Sequence, residues 1–232
     1  MTLCYDFHIH TALSPCGHED MTPNNIVNMA LINGLDAIAV TDHNSCGNVG
    51  AVMEVARDTG LVVIPGMEVE TREEIHVVCL FETLEDALRM QEVVYTQLPD
   101  RKNSPKLFGT QLLMDQEDEV VGEVDRLLSF ATGLSLEEVV ELADRNHGVA
   151  IPAHIDRPSY SVISNLGMIP PNPLIRTLEV SQYADRASYK EEYPAYRILQ
   201  SSDSHDLGYI GICRQTIKVK DKSISSILDV LK

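Results

Sequence analysis

The chain has no basic stretch followed by an apolar run near its start, and no apolar segment approaching the roughly 20 residues that a membrane-spanning helix needs. A membrane partner is therefore not expected, and a cytoplasmic location is the default. CxxC pairs are also missing. The five cysteines, Cys4, Cys16, Cys46, Cys79 and Cys213, are odd in number and scattered, which argues against a disulfide framework and against a zinc ribbon. Reduced thiols are expected. Basic residues are scarce, 18 against 35 acidic ones, for a net charge of -17. With no track of interleaved aromatic and basic side chains, that balance makes extended nucleic acid an unlikely partner. A small anionic substrate stays open, because bound cations would reverse the local field. Low-complexity segments are absent as well. Hydrophobic residues make up 44% of the 232 positions and charged ones 23%, the balance of an ordinary globular core, and we expect one domain over residues 1–232.

What the sequence does contain is a recurrent placement of histidines and carboxylates at the ends of strand-like runs. Leu3 to Ile9, Asp36 to Val40, Leu61 to Val69, Ile75 to Phe81, Val149 to Ala153, Leu178 to Val180, Arg197 to Gln200 and Gln215 to Val219 read as strands. Helices are expected from Thr22-Pro23 to Asn33, Asn48 to Thr59, Thr83 to about Gln97, Glu119 to Phe130, Ser135 to Asn146 and Ser223 to Leu231. Residues 99–118 carry no period and suggest a lid-like excursion, whose Arg101, Lys102 and Lys106 could bring positive charge to a substrate. Regular alternation with apolar strands implies a mostly parallel sheet, best closed as a distorted α/β barrel. In such barrels chemistry collects at the C-terminal strand ends, where His8, His10, Asp42-His43, Glu68, His154, Asp203 and His205 fall. His76, within or before the fourth strand, fits least well.

Residues two apart on a strand share a face, so His8 and His10 can converge on one ion while Phe7 and Ile9 pack the other way. Neutral imidazoles and carboxylates are ligands for zinc, manganese or iron. By itself HxH is a weak signal; the whole set makes a multinuclear metal site the leading reading.

HIHT at 8–11, TDHN at 41–44, GMEVET at 66–71, the lone His76, AHID at 153–156 and SSDSH at 201–205 resemble, in order and over nearly the whole chain, the motifs of the PHP family, named for polymerase and histidinol phosphatase. The resemblance implies a distorted (β/α)7 TIM-like barrel that holds two or three divalent ions (Zn, Mn or Fe) and hydrolyses phosphoesters. It also implies ligand sets: His8, His10, Glu68 and Asp203 for one ion, Glu68 bridging to a second held by His76 and His154, and His43 with His205 for a third. The loop between HxH and Thr22-Pro23 departs from the family pattern. Counting back favours His18 as its ligand, with Glu19 or Asp20 as substitutes; Cys16 ranks below them, because a lone cysteine is more often inert packing.

Arg157, three residues past His154, is the candidate grip for a substrate phosphate, with an ion pair to Asp156 or a nearby acid as its rival. Asp6 and Asp42 sit beside ligands and could orient imidazoles or form salt bridges. The expected reaction is hydrolysis of a small phosphomonoester or nucleotide by water whose pKa the ions lower from ~16 to about 7. Asp203, His43 and His205 are the candidate catalytic groups, and His43, His205 or a metal-bound water could protonate the leaving oxygen. Competing readings are an exonuclease or cyclic phosphodiesterase on short nucleotides, an amidohydrolase cutting C–N bonds, and a non-catalytic metal-binding regulatory module. Self-association is not legible in the sequence.

Overall fold

The computed structural model describes residues 1–232. In chain order the elements are β1 (Thr2–Ile9), α1 (Pro23–Ile32), β2 (Ala37–Val40), α2 (Val49–Ala56), β3 (Val62–Glu70), β4 (His76–Leu80), α3 (Leu84–Gln97), α4 (Pro105–Phe108), β5 (Leu112–Met114), β6 (Val120–Glu123), α5 (Leu136–Arg145), β7 (Val149–Pro152), α6 (Val162–Leu166), β8 (Thr177–Val180), α7 (Arg186–Glu192), β9 (Arg197–Gln200), a 3₁₀ turn (Leu207–Tyr209), β10 (Gln215–Lys218) and α8 (Ile224–Leu231). No helix is long and apolar enough to cross a membrane.

The helix starts are set by local chemistry. Thr22 and Thr83 accept the amide N–H of Asn25 and Asp86, and Ser135 with Glu138 forms a reciprocal capping box at α5. Gly34, at φ 68°, takes the left-handed turn that separates α1 from β2.

The strands run in the order β10-β1-β2-β3-β4-β7, with β8 pairing β9. An amide hydrogen bond from Ile155 to the Glu179 carbonyl, 2.9 Å, ties the end of β7 to β8. Beyond β9, Ser204 makes a parallel bridge to Ile9 that returns the sheet to β1. Seven strands thus curl into a barrel, and β10 explains its distortion. This strand pairs antiparallel with Thr2 to Tyr5, so the β9 side reaches β1 only at the rim.

One strand is reversed. β4 runs antiparallel to both β3 and β7, with Glu70 opposite His76. Its first residue therefore lies at the rim where the other strands end, which accounts for the awkward sequence position of His76.

Two buried layers hold the barrel. An inner cluster including Leu3, Tyr5, Phe7, Ile64, Leu80 and Leu199 is continuous with Ile227, Leu228 and Leu231 of α8. Thr177 Oγ1 donates to the Leu231 carbonyl at 2.7 Å, fixing α8 near the start of β8, at the N-terminal end of the barrel. An outer cluster joins Ile9, Ile38, Val40 and Met67 to the helices. Phe7 and Ile9 thus pack in different layers, contrary to the shared face expected of them. The pairing of β1 with β2 slips between Asp6 and Ile9, and that irregularity changes the parity.

The expected helix from Glu119 to Phe130 does not form. Val120 and Val121 are β-branched and pair with β5 in a hairpin, and Gly122 disfavours a helix. The excursion after α3 accordingly extends to about residue 131, and it is tied down. Leu112 N–H donates to the Ala12 carbonyl, Asn48 bonds Leu112 and Met114, and Asp118 accepts from Thr22 and Asn24. Asn44 Nδ2 donates to the carbonyls of Leu128 and Phe130 at 2.7 and 3.0 Å.

Candidate metal centre

Glu68, near the end of β3, is buried at the centre of the rim. Its Oε1 lies 2.9 Å from His76 Nδ1 and 3.3 Å from Nε2 of both His8 and His154. Its Oε2 lies 3.0 Å from His43 Nδ1 and 3.4 Å from His10 Nε2. One carboxylate therefore faces five imidazoles from four strands or their ends. Asp203, beyond β9, places Oδ1 3.3 Å from His8 Nε2 and 3.2 Å from His10 Nε2. His205 stacks on His10 with ring centroids 4.0 Å apart.

Three sets of donor atoms fall within 4.8 Å of one another: His8, His10 and Asp203; His43, Glu68 and His76; and His10, His43 and His205. His8 Nε2, His10 Nε2, His43 Nδ1, Glu68 Oε2 and Asp203 Oδ1 are buried without a hydrogen-bond partner. Each such atom costs about 1–3 kcal/mol if left unmatched. Their convergence, and their nitrogen and oxygen chemistry, fits divalent cations.

The electrostatics reflect the crowding. Burial alone would raise the Glu68 and Asp203 carboxyls, but adjacent imidazolium charge, led by His76 for Glu68 and by His8 for Asp203, holds both well below the ordinary carboxylate range. Burial would lower His8 and His43; Glu179 and Asp203 at His8, and Cys16 and Glu68 at His43, raise both well above the usual histidine value. His10 is pushed far down by burial and by the positive charge of His205.

Supporting contacts fix the rings. Glu179 Oε1, buried on β8, is 2.8 Å from His8 Nδ1, and Ser14 Oγ is 2.8 Å from His10 Nδ1. Both arrangements turn Nε2 toward the pocket. Asp42 does not touch an imidazole; it accepts from Thr11 N and Oγ1 and from Ser14 Oγ, anchoring the loop after β1. Asp6 accepts from the amides of Ser202 and Gly211, at 3.0 and 2.7 Å, and so holds the Asp203 segment. His154 and Asp203 adopt φ values of 30° and 52°, strained for residues with side chains, at the points where they leave their strands.

Of the residues singled out in the sequence, His8, His10, His43, Glu68, His76, His154, Asp203 and His205 are brought together. His18 is not. Its side chain is 59% exposed and pairs with Asp20 at 3.4 Å; it lines the pocket but belongs to none of the three convergent sets. Cys16 is exposed and lines the same pocket as His205, outside the three sets. Arg157 binds Asp203 Oδ2 at 2.7 Å, whereas Asp156 is engaged by Ser181. Arg101 lies over the Phe130 ring at 5.2 Å. Glu179 escaped the sequence reading; a carboxylate within the buried Thr-Leu-Glu-Val strand, which demands a partner, was its one signal.

The pocket opening on this cluster has a volume of about 730 Å³ and is lined by residues including Cys16, Arg157, Tyr183, His205 and Tyr209. Tyr160 stacks on His76 at 4.8 Å.

Residues 6–155 match the family described as PHP domain. A 5'-3' exoribonuclease from Haemophilus influenzae is 30% identical over 83 residues, 34% of this chain and 29% of that protein. The 5'-3' exoribonuclease Rnm of Salmonella typhimurium is 35% identical over 81 residues, 33% of this chain and 27% of that protein. The matched segment is thus under a third of either relative. Among solved structures, the lesion-specific endonuclease EndoQ of Pyrococcus furiosus superposes with a TM-score of 0.68 at 21% identity, covering 100% of this chain and 56% of that one.

Proposed function

The chain belongs to the PHP domain family, and from that premise we propose that its rim pocket hydrolyses a small phosphomonoester or a nucleotide. Family membership makes it a metal-dependent hydrolase of ester bonds. The substrate and the residue roles below are our assignment. His8, His10, Glu68 and Asp203 would hold one divalent ion, Glu68 with His76 and His154 a second, and His43 with His205 a third, zinc, manganese or iron being suited to the donors. Such ions supply neutralisation of phosphoryl oxygens and acidification of water. Glu68 fixes the spacing of the donors, and Glu179 and Ser14 keep two rings in the required tautomer. Arg157, 37% exposed at the mouth and braced by Asp203, is placed to grip a phosphate. Protonation of the leaving oxygen falls to His43 or His205, the latter 30% exposed beside the opening.

The observation that carries this reading is the single buried carboxylate shared by five imidazoles. Chelation should abolish phosphate release from a model phosphoester, and Glu68→Gln should lower bound metal and rate together. Full turnover by metal-free protein would refute it. A panel of phosphorylated metabolites, nucleotides and short oligonucleotides then separates substrate classes.

A second reading, cleavage at a nucleic-acid end, is favoured by the exoribonuclease relatives and by Tyr183 and Tyr209, which are 79% and 45% exposed at the pocket. Base stacking on such rings is worth about 1–3 kcal/mol per base. The expectation that the acidic charge disfavours extended nucleic acid is not upheld, since both curated relatives act on RNA by name and ions in the pocket would reverse the field where a strand enters.

A further inference from the structure

A second cavity, of about 500 Å³, lies between α7 and the start of β9, toward the end of the barrel opposite the rim. It shares no residue with the rim pocket. Its charged walls are all of one sign: Arg186 and Lys190 come from α7 and Arg197 from β9, and no carboxylate lines it. Acids are plentiful in this chain, 35 against 18 basic residues, and Arg57, Arg89 and Arg145 each take one three or four positions away. The cavity's arginines are braced differently. Arg186 Nε donates to the Ile198 carbonyl at 2.9 Å and its Nη1 to Gln215 Oε1 at 2.7 Å, while Arg197 Nε donates to the Val230 carbonyl at 2.9 Å. These neutral acceptors fix both guanidinium groups without cancelling their charge, and further N–H donors of each remain to be used. Asp185, the neighbour of Arg186, is occupied at the start of α7, accepting from Ala187 N–H and Ser188 Oγ. Exposed Lys190 feels the imbalance: the charge of Arg186, then burial, then Arg197 hold its ammonium below the ordinary lysine value.

We propose that this cavity is an anion site that receives a phosphate group, with room for the rest of a nucleotide. A braced guanidinium offers paired donors that match phosphate oxygens, and the lysine adds a mobile point charge. The volume lies within the roughly 300–1,000 Å³ of small-molecule sites. Beside the cations, half-buried Tyr196 with Pro194 supplies an aromatic and apolar wall on which a base can lie. A net charge of -17 repels anions from the surface at large, so a cluster of cations without acids is where one can dwell. The site is separate from the rim and stands whatever the rim pocket hydrolyses.

The test titrates the full chain calorimetrically with inorganic phosphate, adenosine 5'-monophosphate and a short oligonucleotide, after metal is stripped so that no probe is turned over. Lys190→Glu reverses one charge at a side chain that braces nothing, so it tests the site without risk to the fold; Arg197→Gln removes a fixed donor pair. Each should weaken binding ~10–100-fold, whereas Arg157→Gln at the rim should leave it unchanged. Hydrogen exchange should slow across residues 186–198 when the site is filled. Equal affinity for phosphate and the nucleotide would support a site that reads phosphate alone, tighter nucleotide binding a mononucleotide, and tighter oligonucleotide binding a strand crossing the cavity. Binding that is unchanged in both Lys190→Glu and Arg197→Gln, or lost in Arg157→Gln instead, would place the anion elsewhere and overturn the proposal. Failure of all three probes to bind at millimolar concentration would overturn it as well.

Discussion

Removing Glu179 is the sharpest probe of how the site is held, because this residue touches no substrate and carries its effect through one contact. Its Oε1 lies 2.8 Å from His8 Nδ1, with both side chains at most 2% exposed. Accepting from Nδ1–H fixes the ring in the tautomer whose Nε2 lone pair faces Glu68 and Asp203, and the carboxylate charge makes that nitrogen a stronger donor. Losing such a partner typically weakens metal binding ~10–100-fold, or about 1.4–2.8 kcal/mol. Glu179→Gln keeps an acceptor at nearly the same position and loses only charge, so it should sit near the tenfold end. Glu179→Ala also leaves Nδ1–H buried without a partner and should approach a hundredfold. Competition with a chromophoric chelator at fixed pH measures both, with circular dichroism confirming that the variants fold. Wild-type affinity in Glu179→Ala would show that His8 is oriented by the strand alone, and the argument from its ring contact would fail.

The metal-free protein should have a distinctive pH profile. His8 and His43 have raised folded-state values, so the stability they contribute is full below the unfolded value of 6.5 and lost as pH rises through the folded ones. Glu68 and Asp203 are depressed, so theirs is full above 4.5 and 3.8 respectively and is lost as pH falls. Depressed His10 likewise loses its contribution as pH falls below 6.5, so below about pH 3.8 all three losses act together and the melting temperature of stripped protein should drop as pH falls further; an unchanged value there would contradict the charge assignments. Asn44→Ala removes the bonds to Leu128 and Phe130 and should cost about 1–3 kcal/mol. Hydrogen exchange should then accelerate across residues 99–131, and unchanged protection there would mean that this anchor is redundant.

Much of the rim was legible in the sequence because its donors sit at abrupt ends of apolar runs, where a barrel gathers chemistry. His76 could not be placed by that logic, since strand direction is a property of the assembled sheet and the residues of β4 read the same either way. Glu119 to Phe130 misled for a related reason: its apolar spacing permits a helix, and Val120, Val121 and Gly122 settle into a hairpin once the partner strand Leu112–Met114 is there to pair with. Cys16 and His18 both lie in an irregular loop, where no periodicity tells which side chain turns inward. The structure leaves both exposed, with His18 N–H bonded to the carbonyl of His205, nearly the whole chain away. Glu179 is a lone carboxylate whose meaning appears only when β8 lies beside β1's histidine.

The reversal of β4 also bears on how the protein assembles. Glu68 and His76 sit on adjoining arms of one hairpin, with Glu70 directly opposite His76, so they meet through a short local closure. His8 and Asp203 must instead be joined from opposite ends of the polypeptide, at a far greater loss of chain entropy. The Glu68–His76 pair thus depends on one local turn, whereas the His8–Asp203 pair depends on closure of the whole barrel.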